Sequence, residues 1–344
     1  MYYCGIDVSI KSTHICLEDA RGRRIREVAV ATTAEAIRTL LQRYRAKGLR
    51  VAIEAGGQTA WIVDVLRELG AQVHVVHPLK VKWIAESKKK TDRVDAALLA
   101  HLLRIGGLPE PVHVPQPRSR EVRHLLVARR QLVTMRTRVI NVIRGLLRQQ
   151  QVVLPTRALS TLAGWARLKR VSVSASAQAV VEAYAELATA LFAALKALDQ
   201  QLHARAETDA RVAQLETIPG VGPISAQTLL AAVDTIQRFP SAKHLVAYSG
   251  LAPSVRASGE QVRYGAITKQ GRSEIRAVWV QAAFAALAVK APAARPLQQW
   301  WHRVARRRGK KTAIVALARK LLTIAFHVLR DDTVYQPQRL GAAA

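Results

Sequence analysis

Four carboxylates carry the most specific chemistry this sequence offers. Asp7 lies in the strand-like run Tyr-Tyr-Cys-Gly-Ile-Asp-Val, Glu54 ends an apolar run just before Ala55-Gly56-Gly57, and Asp92 and Asp95 stand three residues apart at the head of a helical pattern. An aspartate between Ile6 and Val8 is disfavoured by strand propensity, so its position needs a reason. The i, i+3 spacing of Asp92 and Asp95 puts both on one helix face. Helix capping accounts for that pair equally well, because carboxylates in a first turn satisfy free N–H groups and the helix dipole. If all four converge, their mutual repulsion requires a cation among them, and an all-oxygen ligand set suits Mg²⁺ or Mn²⁺.

The surrounding elements give these acids a common address. Residues 2–8 read as a strand, and "THICLED" and "IREVAVAT" flank the turn "ARGRR", which makes a hairpin meander. Thr32 and Glu35 have capping-box spacing ahead of a helix carrying Ile37, Leu40 and Leu41. "LRVAIEAGG" is a strand ending at Glu54. A helix follows through Trp61, Ile62, Val65 and Leu66, then the strand "AQVHVVHP", then the helix that opens at Asp92. Three strands in hairpin order followed by α, β, α, β, α is the order of a ribonuclease-H-like sheet. Asp7 then sits on the first strand, Glu54 on a neighbouring strand, and the aspartate pair on the closing helix.

Composition narrows the partner. The chain has 344 residues, 50% of them hydrophobic, and a formal net charge of +29. It can bury real cores, and its charge points to a polyanion, with nucleic acid ahead of an anionic membrane. The longest apolar run, 277–289, is shorter than the ~20 residues that span a bilayer. No secretory pattern opens the chain. Cys4 and Cys16 have no metal-ligand spacing and fit a reducing interior. No membrane role and a cytoplasmic, nucleoid-associated location are therefore expected.

The middle of the chain has a different texture. Leu125-Leu126, Leu132-Val133, Val139-Ile140 and Leu146-Leu147 recur every seven residues, with Arg129, Arg130, Arg136, Arg138, Arg144 and Arg148 between them. This is a helical seam with a cationic exterior suited to tracking phosphates. A second seam through Leu187, Leu191, Leu195 and Leu202 can pair with the first as an antiparallel coiled coil or reach a partner chain. Between them, Pro155 and Gly164 mark an irregular tip. Further on, "LETIPGVGPISAQTLLAAV" has the form of a helix-hairpin-helix element. Gly220 and Gly222 in its hairpin, and the free N–H groups after it, can hold a phosphate without reading bases. An ordinary helical turn stopped by Pro219 and Pro223 is the alternative. Small and basic residues then crowd around Ser258-Gly259, where Arg256, Arg263, Lys269 and Arg272 are placed to hold a phosphodiester. On residue chemistry alone Ser258 competes as a nucleophile with Ser225, Ser241, Ser249, Ser254 and Ser273. Lys88, Lys89 and Lys90, directly before Asp92, lie where a phosphate backbone would approach the acids.

"CGIDVS", "VAIEAGG", "KTDRVDA", "IPGVGPISA", "GLAPSVRASGEQVRYGAITKQGRSEIR" and "KKTAIVALARKLL" together resemble the insertion-sequence-110 family of transposases, the bridge-RNA-guided recombinases. The resemblance covers the first hundred or so residues and again roughly 215–329. It implies an acidic tetrad of Asp7, Glu54, Asp92 and Asp95 in a RuvC-like domain. It also implies a serine nucleophile at Ser258 in a C-terminal transposase domain, forming a phosphoserine link to DNA. "SGE" stands here where many relatives carry two glycines. The implied partners are double-stranded donor and target DNA, a structured non-coding guide RNA, and further copies of the chain as a dimer or tetramer.

The expected architecture is thus α/β plus all-α: a RuvC-like, ribonuclease-H-like domain over 1–110, a coiled-coil region over 118–212, and a mostly helical transposase domain with the helix-hairpin-helix element over 213–335. Two other functions fit the same residues: a RuvC-type nuclease or junction resolvase cutting with water, and a non-enzymatic nucleic-acid scaffold.

Overall fold

The computed structural model describes residues 1–80, 92–258 and 261–340, without the side chains of 47, 92, 256–258, 262, 264, 339 and 340. The chain divides into two compact units, Met1–Pro115 and Gln116–Ala344.

The first unit is a five-stranded mixed sheet with helices on both faces. Its strands are β1 (Tyr2–Val8), β2 (Ser12–Asp19), β3 (Arg24–Ala31), β4 (Leu49–Glu54) and β5 (Gln72–Val76), in the spatial order β3-β2-β1-β4-β5. The first three pair antiparallel as the expected meander, while β4 and β5 run parallel to β1. Alternation along β1 sorts the two faces. Cys4 and Ile6 join Ile37 and Leu41 of α1 (Ala34–Leu41) and Ile62 and Leu66 of α2 (Thr59–Glu68) in one core. Gly5 and Asp7 belong to the opposite face, which is covered by α3 (Asp92–Ile105).

The capping residue of α1 differs by one position from the sequence expectation. Thr33, not Thr32, accepts from the Ala36 N–H, whereas the Thr32 hydroxyl meets Thr13 Oγ1 at 2.9 Å and donates to the Ser9 carbonyl at 3.0 Å. The two threonines are adjacent, and the tie to the β1–β2 turn decides which one caps.

The second unit begins with α4 (Pro117–Gln149), passes through a short tip helix α5 (Leu162–Leu168), and returns along α6 (Ala175–Glu207). Contacts of Glu121 with Arg205, Arg129 with Asp199 and Arg136 with Phe192 show that α4 and α6 run antiparallel. The expected helical hairpin thus closes within one chain, with Val139, Ile143 and Leu147 packed on Val181, Ala188 and Leu191 and capped by Trp165. A bundle follows: α7 (Ala210–Glu216), α8 (Pro223–Val233), α9 (Ala242–Tyr248), α10 (Ser273–Ala288), α11 (Arg295–Arg308) and α12 (Lys310–Arg330). Eight consecutive residues of α8, Ala226 to Val233, are buried, so this helix is apolar all round and forms the bundle's centre. A two-stranded ribbon, β6 (Pro253–Ser258) and β7 (Gln261–Ile267), lies between α9 and α10 in the chain.

By length and composition α6 and α12 are apolar enough to cross a membrane. Here the apolar stripe of α6 packs on α4, and Leu317, Leu321 and Leu322 of α12 belong to the bundle core.

Candidate active site and nucleic-acid interface

The acidic address is fixed by one close approach. A Cβ on Gly5 would lie 1.9 Å from the Ala96 carbonyl oxygen and 2.5 Å from the Ala100 nitrogen, so only glycine lets α3 rest on the backbone of β1. Ala96 and Ala100 pack there with Cys16 of β2, while Leu99 and Leu103 pack with Ala52 of β4 and Val76 of β5. The direction of α3 follows from its ends. Arg104, near the C-terminus, pairs at 3.1 Å with Glu18, which stands opposite Tyr3 at the start of β1. The first turn of α3 therefore lies toward the Asp7 end of the strand. Arg93 reinforces this placement through Glu27 of β3 at 2.8 Å.

Asp7 is two residues beyond Gly5 and on the same face. The parallel register pairs Ile6 with Ile53, so Asp7 and Glu54 are next in line on adjacent strands. Glu54 is two residues beyond Ala52, and Asp95 is one helical turn before Leu99, which touches Ala52. Asp7, Glu54 and Asp95 are all half-buried. The backbone thus brings three of the expected acids, and the position of Asp92, to one end of the sheet, although the Asp92 side chain lies outside the described residues. Among the described side chains no three His, Cys, Asp or Glu groups form a closed metal-binding set. The donor chemistry still fits a hard divalent cation, since every candidate ligand is a carboxylate oxygen. Lys88, Lys89 and Lys90 lie outside the described residues.

Three residues at this end were not singled out from sequence. His14 stands directly opposite Asp7 in the β1–β2 register and is half-buried. A hairpin turning at Ser9–Ser12 is the signal that places it there. Buried Thr59 donates to the Glu54 carbonyl at 2.6 Å and accepts the Gly56 N–H at 2.7 Å, pinning the loop after β4. Gln58 reaches the Ser9 carbonyl at 3.3 Å, so the ends of β1 and β4 are tied together.

The serine element is built differently. Ser258 ends β6 and is paired in register with Gln261, Arg256 is paired with Arg263, and the intervening 259–260 lie outside the described residues. The ribbon has no third strand, and Val255 on it is 55% exposed. Of the other basic residues expected here, Arg263 is exposed and donates to Gln261 Oε1 at 3.1 Å. Lys269 adopts φ +56° in the turn, with its N–H on the Gly250 carbonyl at 3.1 Å. Arg272 is half-buried and donates to the Tyr248 hydroxyl at 3.0 Å. Ser249, one of the competing serines, is fully buried and donates to the Val246 carbonyl at 2.7 Å.

The helical basic residues divide by what they touch. Arg129 is paired with Asp199 and Arg136 lies over the Phe192 ring at 5.6 Å, so both hold α4 against α6. Arg130, Arg138 and Arg148 are the exposed arginines of the α4 seam. Arg123, Arg129, Arg130 and Arg272 line a cavity of about 450 Å³ between α4, α8 and α10. Burial and then the Arg272 charge push the Arg123 guanidinium below its ordinary range. In the helix-hairpin-helix segment Gly220 is a packing residue. It has φ +87°, and a Cβ there would lie 2.3 Å from the Ala282 carbonyl oxygen of α10. Gly222 faces open space and caps α8.

Two family models match this chain. Residues 4–151 match the IS110 DEDD model, described as a transposase, and residues 212–299 match the model for the transposase IS116/IS110/IS902 family. A probable family 20 transposase of Pseudomonas aeruginosa is 29% identical over 83% of this chain and 86% of its own length. The transposase for insertion sequence element IS1111A of Coxiella burnetii is 26% identical over 96% of this chain and 90% of its own. Among solved structures, Thermus thermophilus RuvC in complex with a Holliday junction substrate matches 33% of this chain and 99% of its own, with 16% identity and a TM-score of 0.26. The two matched segments together span most of both compact units, and the chain belongs to the IS110 family of transposases, enzymes that act on DNA.

Proposed function

We propose that this transposase cuts and rejoins DNA strands through a covalent serine–phosphate link, with the acids at the sheet end of a RuvC-like unit holding a divalent cation. The observation that carries this reading is the convergence of Asp7, Glu54 and the first turn of α3, enforced by the contact of α3 on Gly5. Asp7, Glu54, Asp92 and Asp95 would be the ligands, and Mg²⁺ or Mn²⁺ the ion. A divalent cation bound there supplies Lewis-acid polarisation of a phosphate and stabilises charge on the attacking and leaving oxygens.

The Ser258 hydroxyl attacks the scissile phosphorus, forming a P–O bond as the bond to the departing DNA oxygen breaks. The number of phosphodiester-type links is conserved, so strands exchange and rejoin without ATP, which hydrolysis by water does not allow. Arg256, Arg263, Lys269 and Arg272 hold the phosphodiester near this serine, and Lys88, Lys89 and Lys90 meet the backbone near the acids. Arg130 and Arg138 of the α4 seam carry the longer duplex contacts. The acids and the serine belong to different compact units, which favours assembly of sites from two or four copies of the chain. Pairing with a structured guide RNA supplies target choice, the protein gripping backbones and leaving sequence to base pairing. The work is done at the nucleoid.

The reading is tested by strand-exchange assays on duplex substrates carrying the element ends, with RNA from the native source copurified and sequenced. Magnesium-dependent exchange that disappears in Asp95→Asn, with one enriched structured RNA, supports it. Metal-dependent cutting that releases free ends in both the native chain and Ser258→Ala makes the protein a hydrolytic nuclease instead.

A further inference from the structure

We propose that a cavity in the second unit, separate from the serine ribbon and the helix-hairpin-helix glycines, receives one unpaired nucleotide of a DNA strand. It has a volume of about 260 Å³ and lies where the start of α4, the end of α6, α7 and α8 meet. Arg118, Arg205 and Arg211 stand on its wall with Asp209 and Gln227.

Two features point to the same ligand. The first is charge. Asp209 is claimed by Arg211 at 2.7 and 2.9 Å, and Arg118 lies 3.9 Å from the same carboxylate. Arg205 is matched only by Glu121, which is itself exposed. Three guanidiniums thus face one lining carboxylate, a surplus suited to a phosphate. The second is an orphaned acceptor. Gln227 is 3% exposed, and its Nε2 donates to the Leu202 carbonyl at 3.0 Å and the Pro223 carbonyl at 3.3 Å. Those two carbonyls fix the amide's orientation, and Gln227 Oε1 is left buried with no partner. A buried acceptor in that state calls for an N–H or O–H donor.

A ligand with a donor at one end and a negative charge at the other satisfies both features. Every nucleobase carries an N–H on its Watson–Crick edge, and its own phosphate supplies the anion. The edge must be unpaired to reach Gln227, so the nucleotide is one displaced from a duplex or in a single strand. The volume lies just below the ~300–1,000 Å³ of drug-sized sites, enough for a base but not for a base pair. One acceptor cannot tell bases apart, so the site grips without reading sequence. The proposal rests on the reading of the chain as an enzyme that exchanges DNA strands, since strand exchange produces unpaired nucleotides.

The test compares two fluorescent DNA strands of about twelve nucleotides, a length within the range single-strand sites cover. One is oligo(dA) and the other has the same phosphates with abasic residues throughout. Anisotropy titrations of the full chain give the ratio of their affinities. Gln227→Met is expected to shrink that ratio about fivefold, the factor one ordinary hydrogen bond supplies. Val122→Phe fills the cavity from α4 while leaving the Gln227 bonds in place, and is expected to shrink the ratio similarly. Arg118→Ala weakens both strands alike. A ratio unchanged in Val122→Phe, with a melting temperature within ~2 °C of the native chain, overturns the proposal. So does a base preference seen only with the equivalent RNA strands. Retention of strand exchange by Asp7→Asn defeats the catalytic reading but leaves this ratio untouched, so the two fail separately.

Discussion

The sheet end that carries the acids and the ribbon that carries Ser258 are opposite solutions to placing a reactive group. Asp7 and Glu54 stand on central strands of a five-stranded sheet, one beside the other, under a helix so close that glycine is obligatory beneath it. Ser258 stands at the end of a two-stranded ribbon with an exposed valine on its side. Ligands for a cation need fixed geometry, and strands under a packed helix provide it. A nucleophile that must become bonded to DNA and later release it is better placed on a ribbon that few contacts restrain.

The comparison can be broken at its rigid side first. Asp7→Asn or Asp95→Asn is expected to lower strand exchange at least about a thousand-fold, as loss of a transition-state electrostatic partner does, while shifting the melting temperature by only a few degrees at most. Exchange assays paired with calorimetry read both. Gly5→Ala is expected to destabilise the first unit by at least about 3 kcal/mol, because its methyl group would meet backbone rather than a movable side chain. Urea titration of the native and substituted chains checks this.

A third change isolates the second unit. Asp234, at φ +65°, accepts from the Ser119 hydroxyl at 2.6 Å and from the Gln116 N–H at 3.3 Å, capping α4 from the end of α8. Asp234→Ala should cost about 1–2 kcal/mol, the value of a lost helix cap, and Asp234→Asn less. A smaller effect is expected from acid. Hydrogen bonding to Arg211 holds the Asp209 carboxyl below its ordinary range. Its folded value lies below the unfolded one, so its contribution is complete above about pH 4 and fades as pH falls through the folded value. Asp209→Asn should flatten that acid limb of the stability profile. Last, Val255→Thr on the ribbon should change stability by no more than about 0.5 kcal/mol, in contrast with Gly5→Ala on the sheet.

Much of the first unit was legible because its signals are local. Period-two burial in the strands, the turns between them and the apolar helical faces gave the element order, and that order gave Asp7 and Glu54 their shared address. Gly5 was visible as a glycine inside a strand, but the helix lying on it is about ninety residues away in sequence. The pairing of Arg129 with Asp199 and of Arg136 with Phe192 was hidden for the same reason. A seam of arginines reads as a cationic face until the returning helix supplies partners for some of them. Gly220 read as a phosphate-binding hairpin residue, while its packing on α10 depends on a residue more than sixty positions further on. Gln227 gave no signal at all, because an amide becomes informative only when the carbonyls that orient it are known.

The most direct test is to trap the reaction on suicide DNA substrates carrying the element ends, denature it, and map any protein–DNA adduct by mass spectrometry. The account predicts an adduct on the peptide containing Ser258, dependent on magnesium and absent from both Ser258→Ala and Asp95→Asn. Cleaved DNA with free ends, produced equally by the native chain and Ser258→Ala, would contradict it.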